Sequence, residues 1–157
     1  TAKTAPSDPK THNNLGDYYA RHGDFDMAIA EFSRAIELNP AYADAFHNRG
    51  LTYAQKGKVD KTIADYHKAI ELNPGLWQSY RNLAGTYFET GKPEDAINYM
   101  QKAVAIKPDE PHLWTNLGTI YVELKEKDAA LDAFTKALEL DPSNQAALTG
   151  LRKAHNL

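Results

Sequence analysis

Four asparagines, Asn14, Asn48, Asn82 and Asn116, stand at intervals of 34 residues. A carboxamide carries both donors and acceptors, so one side chain can bind the N–H and the C=O of an extended peptide together. A ladder of such groups would hold a peptide chain with little regard to its side chains. The alternative, that these amides bond within or between helices, is equally open on the sequence. The spacing thus raises a peptide-binding hypothesis without deciding it.

Residues suited to other chemistry form no recognisable site. The chain has no cysteine, which excludes disulfides, thiol catalysis and thiolate metal sites. Its histidines never occur as an i, i+4 pair with a carboxylate between them, the spacing typical of a zinc site on a helix. They are His12, His22, His47, His67, His112 and His155. With no phosphate-binding glycine loop and no nucleophile motif, we predict no catalytic residues, no metal, no cofactor and no enzymatic activity.

Charge and hydropathy exclude two further classes of partner. The 18 basic and 21 acidic residues give a net charge of -3, so we expect no nucleic acid, which needs a clustered basic surface. No apolar run approaches the roughly 18 residues needed to cross a bilayer, so we expect a soluble chain with no direct membrane insertion. The compartment stays open between cytoplasm and periplasm. Because Thr1 is not an initiator residue, we expect a processed or excised piece.

The whole chain repeats with a period of 34 residues. Prolines, tyrosines and alanines each recur at this step; the prolines are Pro40, Pro74, Pro108 and Pro142. The repeat predicts four units, at 9–42, 43–76, 77–110 and 111–144. Each unit is expected to be two helices, the first ended by a left-handed glycine such as Gly57 and the second by a pair such as Asn73-Pro74. The fourth unit has Lys125 in place of that glycine. Its inter-helix turn should therefore have the least favourable backbone conformation of the four.

The two ends of the chain differ from the repeats. Residues 1–8 are small and polar, and we expect a disordered tail there. In the segment 145–157, residues 145–155 resemble the first helix of a fifth unit, but Arg152 takes the place of the Gly or Ala that the other units have. We interpret this segment as a capping helix, which helical arrays need for solubility. The whole is predicted to be one domain.

The residues that recur at this 34-residue step resemble the tetratricopeptide repeat family. That family has a period of 34 and the pattern W-x2-L-G-x2-Y, then A-x3-F, A and P. The fourth unit shows the pattern in full, at Trp114, Leu117, Gly118, Tyr121, Ala130, Phe134, Ala137 and Pro142. The resemblance implies an all-α fold, a right-handed α-solenoid of stacked antiparallel helix hairpins. His12 and Arg49 are polar residues at positions where the family pattern has apolar ones. We expect His12 to lie near water and Arg49 to pack its stem while its head reaches solvent.

The resemblance also implies a concave groove lined by the first helix of each repeat. Polar residues on that face are predicted to contact a peptide; they are Asn14, Asn48, Asn82, Asn116, His47, Arg81, Gln78 and His112. Gly85 and Leu51 are expected to make an apolar spot beside Phe88 and Val122. The predicted function is a protein-binding scaffold or adaptor that holds a peptide segment of a partner.

Two alternatives stay open on the sequence. The protein could be a self-assembling structural scaffold, a homo-oligomer whose exposed first hairpin carries His12 and Tyr18. It could also be the repeat module of a larger protein whose activity lies elsewhere.

Overall fold

The computed structural model of the protein describes residues 8–157, and within that range the chain forms nine α-helices and no strand. They are α1 (Pro9–Arg21), α2 (Phe25–Leu38), α3 (Ala43–Gln55), α4 (Val59–Leu72), α5 (Trp77–Glu89), α6 (Pro93–Ile106), α7 (Pro111–Glu123), α8 (Lys127–Leu140) and α9 (Gln145–His155). Residues 1–7 of the expected tail lie outside the described residues. Asp8 is the N-cap of α1, and its side chain accepts a hydrogen bond from the backbone N–H of Lys10 at 3.3 Å.

The helices end where the sequence predicts. Gly23, Gly57 and Gly91 follow α1, α3 and α5 with φ of 79°, 69° and 76°, the left-handed conformation that glycine adopts at no steric cost. Lys125 adopts the same conformation after α7, with φ of 61°, and is the one non-glycine residue in 8–157 with positive φ. The fourth turn therefore keeps the backbone geometry of the others with a less suitable residue.

The nine helices fall into two compact units whose boundary lies within α5. Unit 1 extends to Ser79, and within it α1 packs on α2, α2 on α3, and α3 on α4. Unit 2 comprises Tyr80–Leu157, and within it α6 packs on α7, α7 on α8, and α8 on α9.

The two helices of a hairpin cross closely where a small residue faces an aromatic ring. A Cβ built on Gly118 would lie 2.7 Å from the ring of Phe134, and one built on Gly50 would lie 3.1 Å from the ring of Tyr66. Carbon atoms pack best at about 3.5–4.0 Å, so only the absence of a side chain allows these approaches. Both rings are buried to 1% exposure and form the core between the helices.

Arg49 and His12, the two polar residues in apolar places, are each held by an acid on another helix. Arg49 donates from Nε and Nη2 to the two carboxylate oxygens of Asp65, at 2.8 and 2.9 Å, and from Nη1 to the hydroxyl of Ser33 at 3.1 Å. The hydrogen bond that Arg49 donates to the Asp65 carboxylate raises the pKa of Arg49. His12 is buried, with Nδ1 2.6 Å from Oε2 of Glu31. The expectation for His12 is wrong, because its ring is buried against Glu31. Arg49 keeps 20% of its side chain exposed while its guanidinium binds Asp65.

Candidate functional site

Unit 1 has a crevice of about 280 Å³ between its two first helices, α1 and α3. Its lining residues come mainly from those helices and are Asp17, Ala20, Arg21, Phe25, Phe32, Asn48, Leu51, Thr52 and Gln55. Phe32, on the second helix of the first repeat, is buried at the floor, and Leu51 is 43% exposed. Asp17 and Arg21 pair with each other at 2.8 Å on the α1 side. The crevice is thus mostly apolar inside, with polar groups at its rim.

Unit 2 has the equivalent crevice between α5 and α7, with a volume of about 220 Å³. It is lined by Arg81, Gly85, Phe88, Glu89, Met100, Asn116, Thr119 and Ile120. Most of these residues lie two repeats, or 68 positions, after a lining residue of the α1–α3 crevice: Asn116 follows Asn48, and Met100 follows Phe32. The same place in the repeat therefore forms a crevice in both units.

A second crevice of unit 2 lies between α7 and the cap helix α9 and has a volume of about 450 Å³. It is lined by Phe88, Thr119, Val122, Glu123, Phe134, Gln145, Ala146, Thr149, Gly150 and Lys153. Phe88 and Thr119 line both crevices of unit 2, so the two depressions adjoin. The apolar spot predicted around Gly85, Phe88 and Val122 corresponds to these two crevices, while Leu51 lines the crevice of unit 1.

The four asparagines of the ladder are not equivalent. Asn48 and Asn116 line the matching crevices of units 1 and 2, whereas Asn14 and Asn82 lie outside the three crevices. Asn48 is half-buried, and its Nδ2 donates to Oδ1 of Asn13 at 3.1 Å. Asn116 is exposed. A peptide would therefore find the Asn116 amide accessible, and would share the Asn48 amide with Asn13.

Arg81 and Asn82 are hydrogen-bonded to each other. Arg81 is half-buried on the rim of the α5–α7 crevice, and its Nε donates to Oδ1 of the half-buried Asn82 at 3.1 Å. This contact leaves Arg81 in reach of the crevice and holds its guanidinium there.

Three other predicted contact residues lie away from the crevices. His47 is half-buried, its Nδ1 is 2.7 Å from the hydroxyl of the buried Ser79, and its ring lies against Tyr66 at 5.6 Å between centroids. Gln78 is half-buried and His112 is exposed, and neither lines a crevice described above.

Models of one repeat family match this sequence along most of its length. A model of the TPR repeat matches residues 16–57, and models of the tetratricopeptide repeat match residues 43–76, 77–110 and 112–144. The chain belongs to the tetratricopeptide repeat family.

Solved structures of tetratricopeptide repeat proteins share the fold. The crystal structure of MamA protein gives a TM-score of 0.86 at 24% identity and covers 94% of this chain and 81% of that chain. YrrB, a TPR protein with an unusual peptide-binding site, gives 0.79 at 20% identity, over 96% of this chain and 86% of that one. Pseudomonas aeruginosa pilF gives 0.83 at 20% identity, over 94% and 68%. No curated protein matches the sequence.

These likenesses confirm the predicted fold class, an all-α solenoid of antiparallel helix hairpins. A tetratricopeptide fold supports a role as a protein–protein interaction scaffold. The fold alone names no partner, because function depends on the residues of the site.

The crevice floors of this tetratricopeptide repeat protein include residues that the sequence assigned only to the core. Phe32, Met100 and Phe134 take the same place in the second helix of the first, third and fourth repeats, and each forms part of a crevice floor while being almost fully buried. The signal available was the aromatic position of the repeat pattern. It marks a core residue and does not reveal that one edge of the side chain faces a surface depression.

The described residues contain neither a metal-binding cluster nor a membrane-spanning helix. Within residues 8–157, no group of three or more His, Cys, Asp or Glu side chains could hold a metal ion. No helix in that range has the length and apolar character needed to span a membrane.

Proposed function

We propose that this protein is a peptide-binding scaffold whose first helices hold a segment of a partner protein in the crevices between them. This is the surface that the family resemblance assigns to the concave groove. The observation that carries the proposal is the recurrence of one crevice in both units, each with an apolar floor and a ladder asparagine, Asn48 or Asn116, at its edge. Apolar floors accept side chains, and amides at the edge bind a peptide backbone.

A partner side chain would enter the crevice and be removed from water, which stabilises the complex by about 25 cal/mol per Å² of apolar surface buried. The amide of Asn116 would then accept from or donate to the peptide main chain. Main-chain recognition of this kind gives affinity, while the shape of each crevice selects the side chain.

The test is a random-peptide display selection against the wild-type protein, the Asn48→Ala/Asn82→Ala variant and a Gly85→Leu variant in parallel. Gly85 lines the α5–α7 crevice and nothing lies within 4 Å of a Cβ built on it, so a leucine there is expected to occupy the crevice. Thr135→Leu, at an exposed position of α8, is the matched control. We expect enriched peptides that bind the wild type and the control but bind Gly85→Leu at least tenfold more weakly.

The variants distinguish the contribution of the asparagines to peptide binding from that of the crevice. Enrichment lost in Gly85→Leu but kept in the double asparagine variant would assign binding to the α5–α7 crevice and exclude Asn48 and Asn82 as necessary contacts. Failure of the wild type to enrich any peptide would contradict the proposal.

A second candidate function, self-assembly, is favoured by the first hairpin. Leu15 is 37% exposed, while Leu83 and Leu117, at the same place in later repeats, are 0% and 4% exposed. Tyr18 is 55% exposed, against 3% for Thr52. Within residues 8–157, this face of the first hairpin is therefore more exposed than the same face of the later repeats.

Self-association through this face would pair it with a second copy of the chain. Sedimentation velocity across a concentration series would detect it, with Leu15→Glu as the interface variant and Glu37→Gln, on an exposed site of α2, as the control. Concentration-dependent growth in mass that Leu15→Glu abolishes is the expected result. A monomer at every concentration would exclude this candidate.

A further inference from the structure

The α7–α9 crevice, unlike its two counterparts, has no ladder asparagine among its lining residues. Gly150 stands where the four preceding repeats have the ladder asparagines, 34 residues after Asn116. The crevice has a volume of about 450 Å³, against about 220 Å³ for the α5–α7 crevice edged by Asn116. Pockets that bury small ligands measure about 300–1,000 Å³, so the larger crevice has room for a bulky side chain.

The larger crevice is also apolar where an entering group would rest. Phe88 and Val122 form its sides, and the ring of Phe134 forms its floor. Phe134 is itself 1% exposed, whereas Phe88 and Val122 are half-buried and so keep surface that a ligand could cover. Aromatic side chains gain most from such a site because each can bury a large apolar area.

The rim of this crevice carries one charge of each sign on opposite walls. Lys153 lies on the α9 wall and Glu123 on the α7 wall, and both are exposed. Neither forms an ion pair or hydrogen bond with another side chain within residues 8–157. The segment 145–157 contains Arg152 and Lys153 but no aspartate or glutamate. The α9 wall is therefore positive, and it complements an acidic group.

We propose that the α7–α9 crevice is an anchor pocket, which takes one large apolar side chain of a partner peptide, aromatic or leucine-sized, with an acidic residue beside it paired to Lys153. The inference rests on the proposed peptide-binding function and specifies the peptide. In this arrangement Asn116 binds main chain at the narrower crevice, and the anchor side chain rests against Phe88, Val122 and the edge of the Phe134 ring. Glu123 on the opposite wall repels an acidic residue, so the two charges fix which end of the segment lies against α9.

The charge is tested by random-peptide display on the wild type, Lys153→Glu and Arg152→Glu. Arg152 is the matched control, since it adjoins Lys153 in sequence, is exposed and does not line the crevice. We expect wild-type peptides to share a large apolar residue next to Asp or Glu. Lys153→Glu should bind these peptides about fivefold to tenfold more weakly, as expected when a surface attraction becomes a repulsion, and should select Lys or Arg at the acidic position. Arg152→Glu should change affinity by less than about twofold.

The volume is tested by Ala146→Trp, which places an indole in the crevice from an exposed position of α9. Ala105→Trp, at an exposed position of α6, is the control for a surface tryptophan. We expect Ala146→Trp to abolish selection of the large apolar residue and Ala105→Trp to retain it, with circular dichroism and thermal unfolding confirming that both variants fold.

The outcomes distinguish the two proposals. Peptides that Gly85→Leu weakens but that are indifferent to Lys153→Glu and Ala146→Trp would overturn the anchor pocket and leave the peptide-binding function intact. A motif that keeps its acidic residue in Lys153→Glu would overturn the role of Lys153. Absence of any enriched peptide on the wild type would overturn both proposals.

Discussion

Arg49 and Asp65 form a two-point ion pair at repeat positions that hold Leu117 and Ala133 in the fourth repeat. Both nitrogens lie within 2.9 Å of a carboxylate oxygen, and the Asp65 side chain is 8% exposed. The guanidinium lies 5.5 Å from the centre of the Phe46 ring. A charged contact thus replaces an apolar one in an otherwise common core.

We expect Arg49→Leu to lower the free energy of unfolding by about 3 kcal/mol, because it leaves the buried Asp65 carboxylate without its partner. This is the lower end of the range for buried pairs, since Arg49 keeps 20% exposure. The double variant Arg49→Leu/Asp65→Ala, which restores the residues of the fourth repeat, should recover most of the loss. Urea unfolding of the two single variants and the double variant measures the coupling. Simple addition of the two single losses would contradict a direct pair.

Gly150 and Gly85 predict opposite responses to the same substitution. A Cβ on Gly150 would lie 2.3 Å from the ring of Phe134, and this ring already faces Gly118, where a Cβ would be 2.7 Å away. The ring is therefore closely approached by two glycines, so Gly150→Ala should destabilise by about 1–3 kcal/mol through overpacking. Gly85→Ala meets no atom within 4 Å and should stabilise by about 0.5–1 kcal/mol, as alanine does in a helix interior.

Thermal unfolding of these two alanine variants provides the measurement, and each serves as the control for the other. Equal shifts in Tm would show that helix propensity alone, and not the position of Phe134, governs both sites.

One substitution in the turn between α7 and α8 is expected to stabilise the protein. Lys125 has φ of 61°, which costs a residue with a side chain about 1–2 kcal/mol relative to glycine. Lys125→Gly should raise the free energy of unfolding by about 0.5–1 kcal/mol, the gain being reduced because glycine also loosens the unfolded chain. Lys125→Val should lower it, because β-branched residues resist positive φ most. Stabilisation by both variants in urea unfolding would exclude backbone strain as the cause.

Local features of the fold follow from the sequence because their causes are local. Gly57 and Asn73-Pro74 end helices through the φ and ψ angles of two or three consecutive residues, and Lys125 is identified by its register in the repeat. The partner of Arg49 lies 16 residues away on another helix, and its identity depends on how the hairpin closes. The sequence did contain a signal for these acidic partners. Glu31 and Asp65 occupy a repeat position that holds Tyr99 and Ala133 in the later repeats.

The candidate site could be predicted only as a face of the first helices. The repeat register places Asn48 and Asn116 at equivalent points, and the structure gives both a crevice. The bond from Asn48 to Asn13 joins side chains of adjacent repeats, 35 residues apart. It depends on the rotamers of both residues and on the spacing of the helices, which a periodic pattern does not encode.

Asn144 links the cap helix to the fourth repeat by two hydrogen bonds. Its Oδ1 accepts from the backbone N–H of Ala147 at 3.0 Å, which caps α9, and its Nδ2 donates to the hydroxyl of Thr115 on α7 at 2.9 Å. The residue is only 7% exposed, so water cannot readily replace either bond. The orientation of α9, and with it the α9 wall of the crevice, depends on this side chain.

We therefore expect Asn144→Ala to destabilise α9 by about 2 kcal/mol, from roughly 1 kcal/mol for the lost cap and a similar amount for the bond to Thr115. Amide hydrogen exchange should show the loss of protection concentrated in α9, with α8 changed less. Ser143→Ala, at the exposed neighbouring position, should change stability by less than about 0.5 kcal/mol.

Because the anchor pocket needs the α9 wall, peptides selected on the wild type should bind Asn144→Ala more weakly. The same peptides should bind Ser143→Ala with unchanged affinity. Full retention of binding by a protein whose α9 exchanges freely would place the peptide on other helices.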